Sequence, residues 1–229
     1  MDQTSSTSSS APAIRSIDDL CGPSGKLEAL LNVGSPDAEL SALVCHPHPL
    51  GGGTMHNKVV YHAMKALASL GMPVLRFNFR GTGLSEGIHD GGRGEVDDVR
   101  AALDWLNREF QLPVLFAGFS FGAHVGLRAC CGMEQVKGLI ALGIPVHAEG
   151  RDYDYDFLAR CYGPKLFVSG TRDQYGPMPK VEAVVRSAMP PSELVWIADV
   201  DHFFAGGLDK LRDAIQAWVA PLFVLHKAK

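Results

Sequence analysis

Short apolar runs alternate along the chain with longer stretches in which apolar positions recur every three or four residues. The runs at 41–45, 73–79, 114–118, 139–144, 165–169 and 194–197 have the length of strands. Most are continuously apolar, the pattern of strands buried on both faces. The run at 26–31 alternates more and predicts an antiparallel edge strand. Val60, Met64, Leu67 and Ala68 share one face of a helix predicted over 56–70, with Gly71 as its stop. Val96, Val99, Leu103, Leu106 and Phe110 form a second stripe. Leu208, Leu211, Ile215, Trp218 and Leu222 form a third, which Pro221 is expected to kink or end. Strands alternating with helices predict a mostly parallel central sheet covered on both sides, a three-layer α/β/α sandwich. Ligands in such sheets gather beyond the carboxyl ends of the strands, so the chemistry is sought there.

The run at 114–118 leads into Gly118-Phe119-Ser120-Phe121-Gly122, a G-x-S-x-G sequence at a strand-to-helix junction. Such a turn needs nearly side-chain-free neighbours and holds the serine in a strained conformation with its hydroxyl exposed. The Phe121 N–H, at the start of the following helix, then points toward a reacting carbonyl. A serine hydroxyl becomes nucleophilic when an imidazole takes its proton and an acid orients that imidazole. After Ser120, Asp173 follows the end of the run at 165–169, and His202 follows the end of the run at 194–197. Asp199 and Asp201 are rivals for the acid role; Asp201, next to the histidine, is expected to point elsewhere.

A second oxyanion donor is expected from the loop His46-Pro47-His48-Pro49-Leu50-Gly51-Gly52-Gly53. Prolines have no N–H to give, which leaves Leu50 or His48. His46, His48 and His56 have a spacing compatible with zinc, but no carboxylate or cysteine completes a set. No metal or other cofactor is expected. The Arg80–Ser85 stretch lacks the lysine of a phosphate-binding loop and reads as a turn. Glu95, Asp97 and Asp98 near the next helix start suit its dipole.

Composition narrows the class. The 229 residues are 46% hydrophobic and 20% charged, with a net charge of −4. That balance offers no basic excess for nucleic acid, and no apolar run reaches the roughly 18 residues of a membrane span. Five cysteines, two of them adjacent at Cys130 and Cys131, read as free thiols of a reducing, cytoplasmic compartment. Seven of the first ten residues are Ser or Thr. Residues 1–12 are therefore expected to be a disordered tail and 13–229 a single domain. Oligomeric state is not legible.

Taken in order, HPHPLGGG from His46, FNFRGTGLSEG from Phe77, GFSFG from Gly118, RDQYG from Arg172 and DHFF from Asp201 resemble the α/β-hydrolase superfamily. Within it they resemble a small lidless group. The resemblance implies Ser120 as nucleophile, Asp173 as acid and His202 as base, with Phe121 and the loop around Leu50 supplying oxyanion donors. Asn78 stands where many members carry Asp, at a position that is usually structural. Hydrolases of this kind often insert a cap before the strand that carries the acid. Here that connection, 146–164, holds only 19 residues. An open site without a cap domain is expected, suited to esters of small or exposed acyl groups. Thioesters, lactones and acyl transfer on the same triad, or a non-catalytic scaffold, are the alternatives. Met55, Phe119, Phe203 and the acidic, tyrosine-bearing stretch after Arg151 are candidates to line an acyl pocket.

Overall fold

Eight strands hydrogen-bond into one sheet, and chain order and sheet order part company near its middle. The computed structural model describes residues 14–227 except 149 and 152, with side chains up to 222; the predicted tail lies outside the described residues. The strands are β1 (Ile14–Ile17), β2 (Cys21–Gly22), β3 (Gly25–Lys26), β4 (Ala29–Asn32), β5 (Ser41–Cys45), β6 (Val74–Phe77), β7 (Val114–Phe119), β8 (Val136–Leu142), β9 (Lys165–Gly170) and β10 (Ser192–Ile197). The main sheet runs β1-β4-β6-β5-β7-β8-β9-β10, and β2 and β3 pair separately. From β6 to β10 every pairing is parallel, whereas β4 is antiparallel to both β1 and β6. The chain steps from β5 to β6 on one side and returns to β7 on the other. That reversal opens a crevice beyond the carboxyl ends of β5 and β7.

The helices are α1 (Lys58–Ala68), α2 (Gly94–Phe110), α3 (Phe121–Cys130), α4 (Met178–Ser187) and α5 (Leu208–Lys227). Apolar side chains of α1 and α5 pack on one face of the sheet, and those of α2, α3 and α4 on the other. Val99, Leu103 and Leu106 of α2 are fully buried, each stabilising by roughly 1.5–3 kcal/mol. Asn57 caps α1, its Oδ1 accepting the Val59 N–H at 2.9 Å. Among its described residues, the 146–164 connection contains one short 3-10 turn, Asp156–Arg160, and no cap domain.

Two expectations need correction. The 26–31 run is not an edge strand: its ordered part, β4, lies between β1 and β6. Three of its four residues are buried, while β1 is mostly exposed and takes the edge. Four residues are too few for a period to be read, which hid β1. Secondly, Pro221 does not end α5, which continues to Lys227. Leu211, Ile215 and Val219 are fully buried and dock the helix before the proline, which sits at an exposed position. Glu95 and Asp98 hold structure together near the start of α2. Asp98 is fully buried and accepts from the Arg80 guanidinium at 2.7 Å and its N–H at 3.0 Å, tying α2 to the loop after β6. Glu95, also fully buried, accepts the Asp90 and Gly92 N–H groups at 2.8 Å each.

Candidate active site

Ser120 sits between β7 and α3 with φ 55° and ψ −120°. That left-handed backbone is costly for a residue with a Cβ and persists only where the surroundings enforce it. Here they do. The Ser120 N–H donates to the Leu142 carbonyl at 2.9 Å, and its own carbonyl accepts from Ala123 at 2.9 Å and His124 at 3.1 Å. The neighbouring glycines are fixed by space: a Cβ on Gly118 would stand 2.6 Å from the Gly122 carbonyl oxygen, and one on Gly122 would collide with the His46 carbonyl oxygen. The turn is thereby pressed directly against the loop that follows β5.

His202 and Asp173 arrive from the ends of β10 and β9. Ser120 Oγ lies 2.9 Å from His202 Nε2, and His202 Nδ1 lies 2.9 and 3.0 Å from the two Asp173 oxygens. All three residues are buried. Asp173 Oδ1 also accepts the N–H groups of Tyr175 at 2.8 Å and Gly176 at 2.9 Å, which fixes the carboxylate in place. Rings of Phe119, Tyr175 and Phe203 surround the imidazole at centroid distances of 5.0, 4.7 and 5.3 Å. A hydroxyl bonded to an imidazole whose far nitrogen faces a carboxylate is the arrangement that readies serine for attack on an acyl carbon. Asp199 is elsewhere, paired with Arg172 at 2.6 Å. Asp201 turns away and accepts the Phe203 and Ala205 N–H groups at 3.1 Å.

In the loop after β5, the Leu50 N–H donates to Nδ1 of His48 at 3.2 Å. The N–H groups of Gly51 and Gly53 go to the His48 carbonyl and that of Gly52 to Pro49, each at 3.0 Å. Of the two residues singled out in this loop, His48 alone has an N–H not committed among the described contacts. Phe121 is the first residue of α3, where backbone N–H groups lack helical partners. The His48 ring lies 4.7 Å from that of Phe121. Burial, reinforced by the charge of Arg151, holds the His48 pKa down to about 4. His46 is likewise held to about 4 by burial. Its Nε2 accepts the Phe79 N–H at 3.0 Å and its Nδ1 faces the Pro47 carbonyl at 2.7 Å. Both ring nitrogens of His46 thus serve the backbone.

The cleft over Ser120 has a volume of about 150 Å³. His48, Gly51–Gly53, Tyr153, Tyr175, His202 and Phe203 are among its walls. Phe203, 51% exposed, is at the site as expected. Met55 and Phe119 are not, and the expectation that they line an acyl pocket is corrected. Met55 is buried and held by its N–H on Asn78 and its carbonyl on Arg76. Phe119 is the last residue of β7, is fully buried, and meets the site through ring contacts with His202 at 5.0 Å and Phe203 at 6.2 Å. Leu50 is 75% exposed and does not line the cleft either.

Arg151, Tyr153 and Tyr175 were not individually legible as cleft residues, although the composition of the stretch after Arg151 pointed to that loop. The loop is pinned by His124 of α3. Its Nε2 lies 3.1 Å from the Asp154 carbonyl, and its ring packs between Tyr153 and Tyr155. Burial lowers the His124 pKa to about 4.

Residues 41–209 match the sequence model of the alpha/beta hydrolase domain. An uncharacterized protein of Rickettsia prowazekii is 37% identical over 206 residues, 86% of each chain. A solved alpha-beta serine hydrolase homologue from Coxiella burnetii is 37% identical with a TM-score of 0.79, covering 90% of this chain and 96% of that one. A Xanthomonas campestris structure described as a serine hydrolase without lid is 35% identical, TM-score 0.79, with coverages of 92% and 94%.

Proposed function

The chain belongs to the alpha/beta hydrolase family, and we propose that it is a serine hydrolase that cleaves carboxylic esters of small or exposed acyl groups. The observation that carries this reading is the 2.9 Å contact between Ser120 Oγ and His202 Nε2, backed by Asp173 at 2.9 Å from Nδ1. Ser120 Oγ attacks the acyl carbon while Nε2 of His202 takes its proton. Asp173 keeps the imidazole oriented and stabilises the imidazolium. The N–H groups of Phe121 and His48 receive the oxyanion. Collapse breaks the bond to the alcohol, which leaves with the proton from Nε2. Water then attacks the acyl-enzyme with His202 again as base, and the acid is released as Ser120 regains its proton.

Support for small acyl groups comes from the cleft volume of about 150 Å³ and from the absence of a cap over it. The working unit is one domain over 13–229. Its partner is a small-molecule ester, and its five free cysteines suit the cytoplasm. A fluorophosphonate probe should label the native chain and fail to label Ser120→Ala; labelling that survives the substitution rejects the assignment. With p-nitrophenyl esters of increasing length, kcat/KM should fall beyond short acyl chains. A preference for long chains would contradict the open, shallow site.

A further inference from the structure

The loop that carries His48 is held at both ends by β6 and the two residues after it. At its entry, the Phe79 N–H donates to Nε2 of His46 at 3.0 Å. At its exit, both backbone groups of Met55 are taken by side chains. The N–H donates to Oδ1 of Asn78 at 2.8 Å, and the carbonyl accepts from Nη1 of Arg76 at 3.1 Å. Gly53 and Asn57, on either side of that exit, line the cleft together with His48. Asn78 is buried, and its side chain meets two opposite demands. The Met55 N–H needs an acceptor, while Oε2 of Glu28, 2.7 Å from Asn78 Nδ2, needs a donor. A primary amide satisfies both, whereas a carboxylate satisfies only the first. Gly83, at φ 57°, closes over this contact: a Cβ there would collide with Glu28 Oε2 and Asn78 Nδ2. Glu28 is itself fixed, its N–H donating to Ser85 Oγ at 2.9 Å and that hydroxyl donating to the Asn78 carbonyl at 2.6 Å.

We propose that Asn78 is a positioning residue for catalysis: oriented by Glu28, its amide oxygen holds the exit of the His48 loop and so sets the His48 N–H against the oxyanion. An aspartate at position 78 would keep the size of the side chain. It would also set two carboxylates against each other where Asn78 Nδ2 and Glu28 Oε2 now stand 2.7 Å apart, and their repulsion would turn the side chain off Met55. This inference rests on the reading of Ser120 as the nucleophile and of His48 as an oxyanion donor.

The test is a double-mutant cycle of Asn78→Asp and Glu28→Gln on p-nitrophenyl acetate, with folded sites counted by complete fluorophosphonate labelling of Ser120. Asn78→Asp should lower kcat per labelled site by about tenfold or more, because a misplaced donor is felt in the transition state. Its KM should stay within about twofold of wild type. Glu28→Gln alone still offers an amide oxygen to Asn78 Nδ2, and its kcat should stay within about threefold of wild type. In the double variant the new glutamine donates to the new carboxylate, which accepts the Met55 N–H again, and most of the lost kcat should return. Wild-type kcat in Asn78→Asp overturns the inference, whatever happens to its Tm. So does a loss that appears in KM alone, a loss that Glu28→Gln fails to recover, or an equal loss in Glu28→Gln by itself. A wild type that is neither labelled nor active on any ester would remove the hydrolase reading and this inference together.

Discussion

His46 and Phe79 are joined across the ends of two adjacent strands: the Phe79 N–H donates to Nε2 of the buried His46 imidazole at 3.0 Å. This bond requires a neutral ring with an unprotonated Nε2. His46, His48 and His124 are each held to about 4, mainly by burial, against about 6.5 for an unfolded chain. The unfolded state therefore binds more protons between these values. The stability contributed by the neutral rings is complete above pH 6.5 and is lost progressively as pH falls toward 4. Urea unfolding from pH 7 to 4 should show this decline, with a shallower slope in His124→Phe. A flat profile across the window would reject the account.

Backbone strain at Ser120 separates stability from activity. Ser120→Ala keeps the strained φ and should leave unfolding free energy within about 0.5 kcal/mol of wild type, with ester turnover abolished. Ser120→Gly relieves the strain and should gain about 1 kcal/mol while remaining equally inactive. Loss of stability in the glycine variant would show that the turn is not strained.

Gly122→Ala directs a methyl group at the His46 carbonyl oxygen, backbone that cannot swing aside. The elbow and the His48 loop must then separate, displacing the Phe121 and His48 N–H groups proposed to receive the oxyanion. The expected result is a fall in kcat of about 100-fold or more, the scale of one lost oxyanion donor, with a lowered Tm. Wild-type kcat with an unaltered Tm would mean that the two segments are not in contact in solution.

Met55 and Phe203 should respond in opposite ways. Met55→Ala opens a buried space and should cost about 2–5 kcal/mol of stability while the order of preference among acyl chains is kept. Phe203→Ala, at an exposed wall of the cleft, should alter that order with a change in stability below about 1 kcal/mol. Thermal unfolding and the p-nitrophenyl ester series, run on both variants, decide between a core role and a cleft role for each residue.

The layers and the parallel centre of the sheet were legible because doubly buried strands such as β5 and β7 are continuous apolar runs. So were the positions of Ser120, Asp173 and His202, since each follows such a run and each local sequence is distinctive. What stayed hidden depended on the third dimension. Strand β1 is only four residues long and mostly exposed, and it pairs with β4. Met55 and Phe119 are apolar residues beside the site in sequence, and nothing in one dimension tells a residue that faces the cleft from one that faces the core. The direction of the Leu50 N–H, which bears on the proposal of His48 as an oxyanion donor, is a matter of one hydrogen bond. Arg151 was visible only as part of an acidic stretch, and its neighbours on the cleft wall come from distant strand ends.

The His202 ring meets Ser120 across 82 residues of chain, and β10, which delivers it, pairs only with β9 at one margin of the sheet. A contact across 82 residues of chain carries a larger loop-closure cost than the pairing of β10 with β9. The triad is thus expected to be completed after the pairings between neighbouring strands. Ester turnover during refolding should lag behind the recovery of helical signal, which makes the enzyme its own indicator of completed folding and leaves partly folded chains without hydrolytic power.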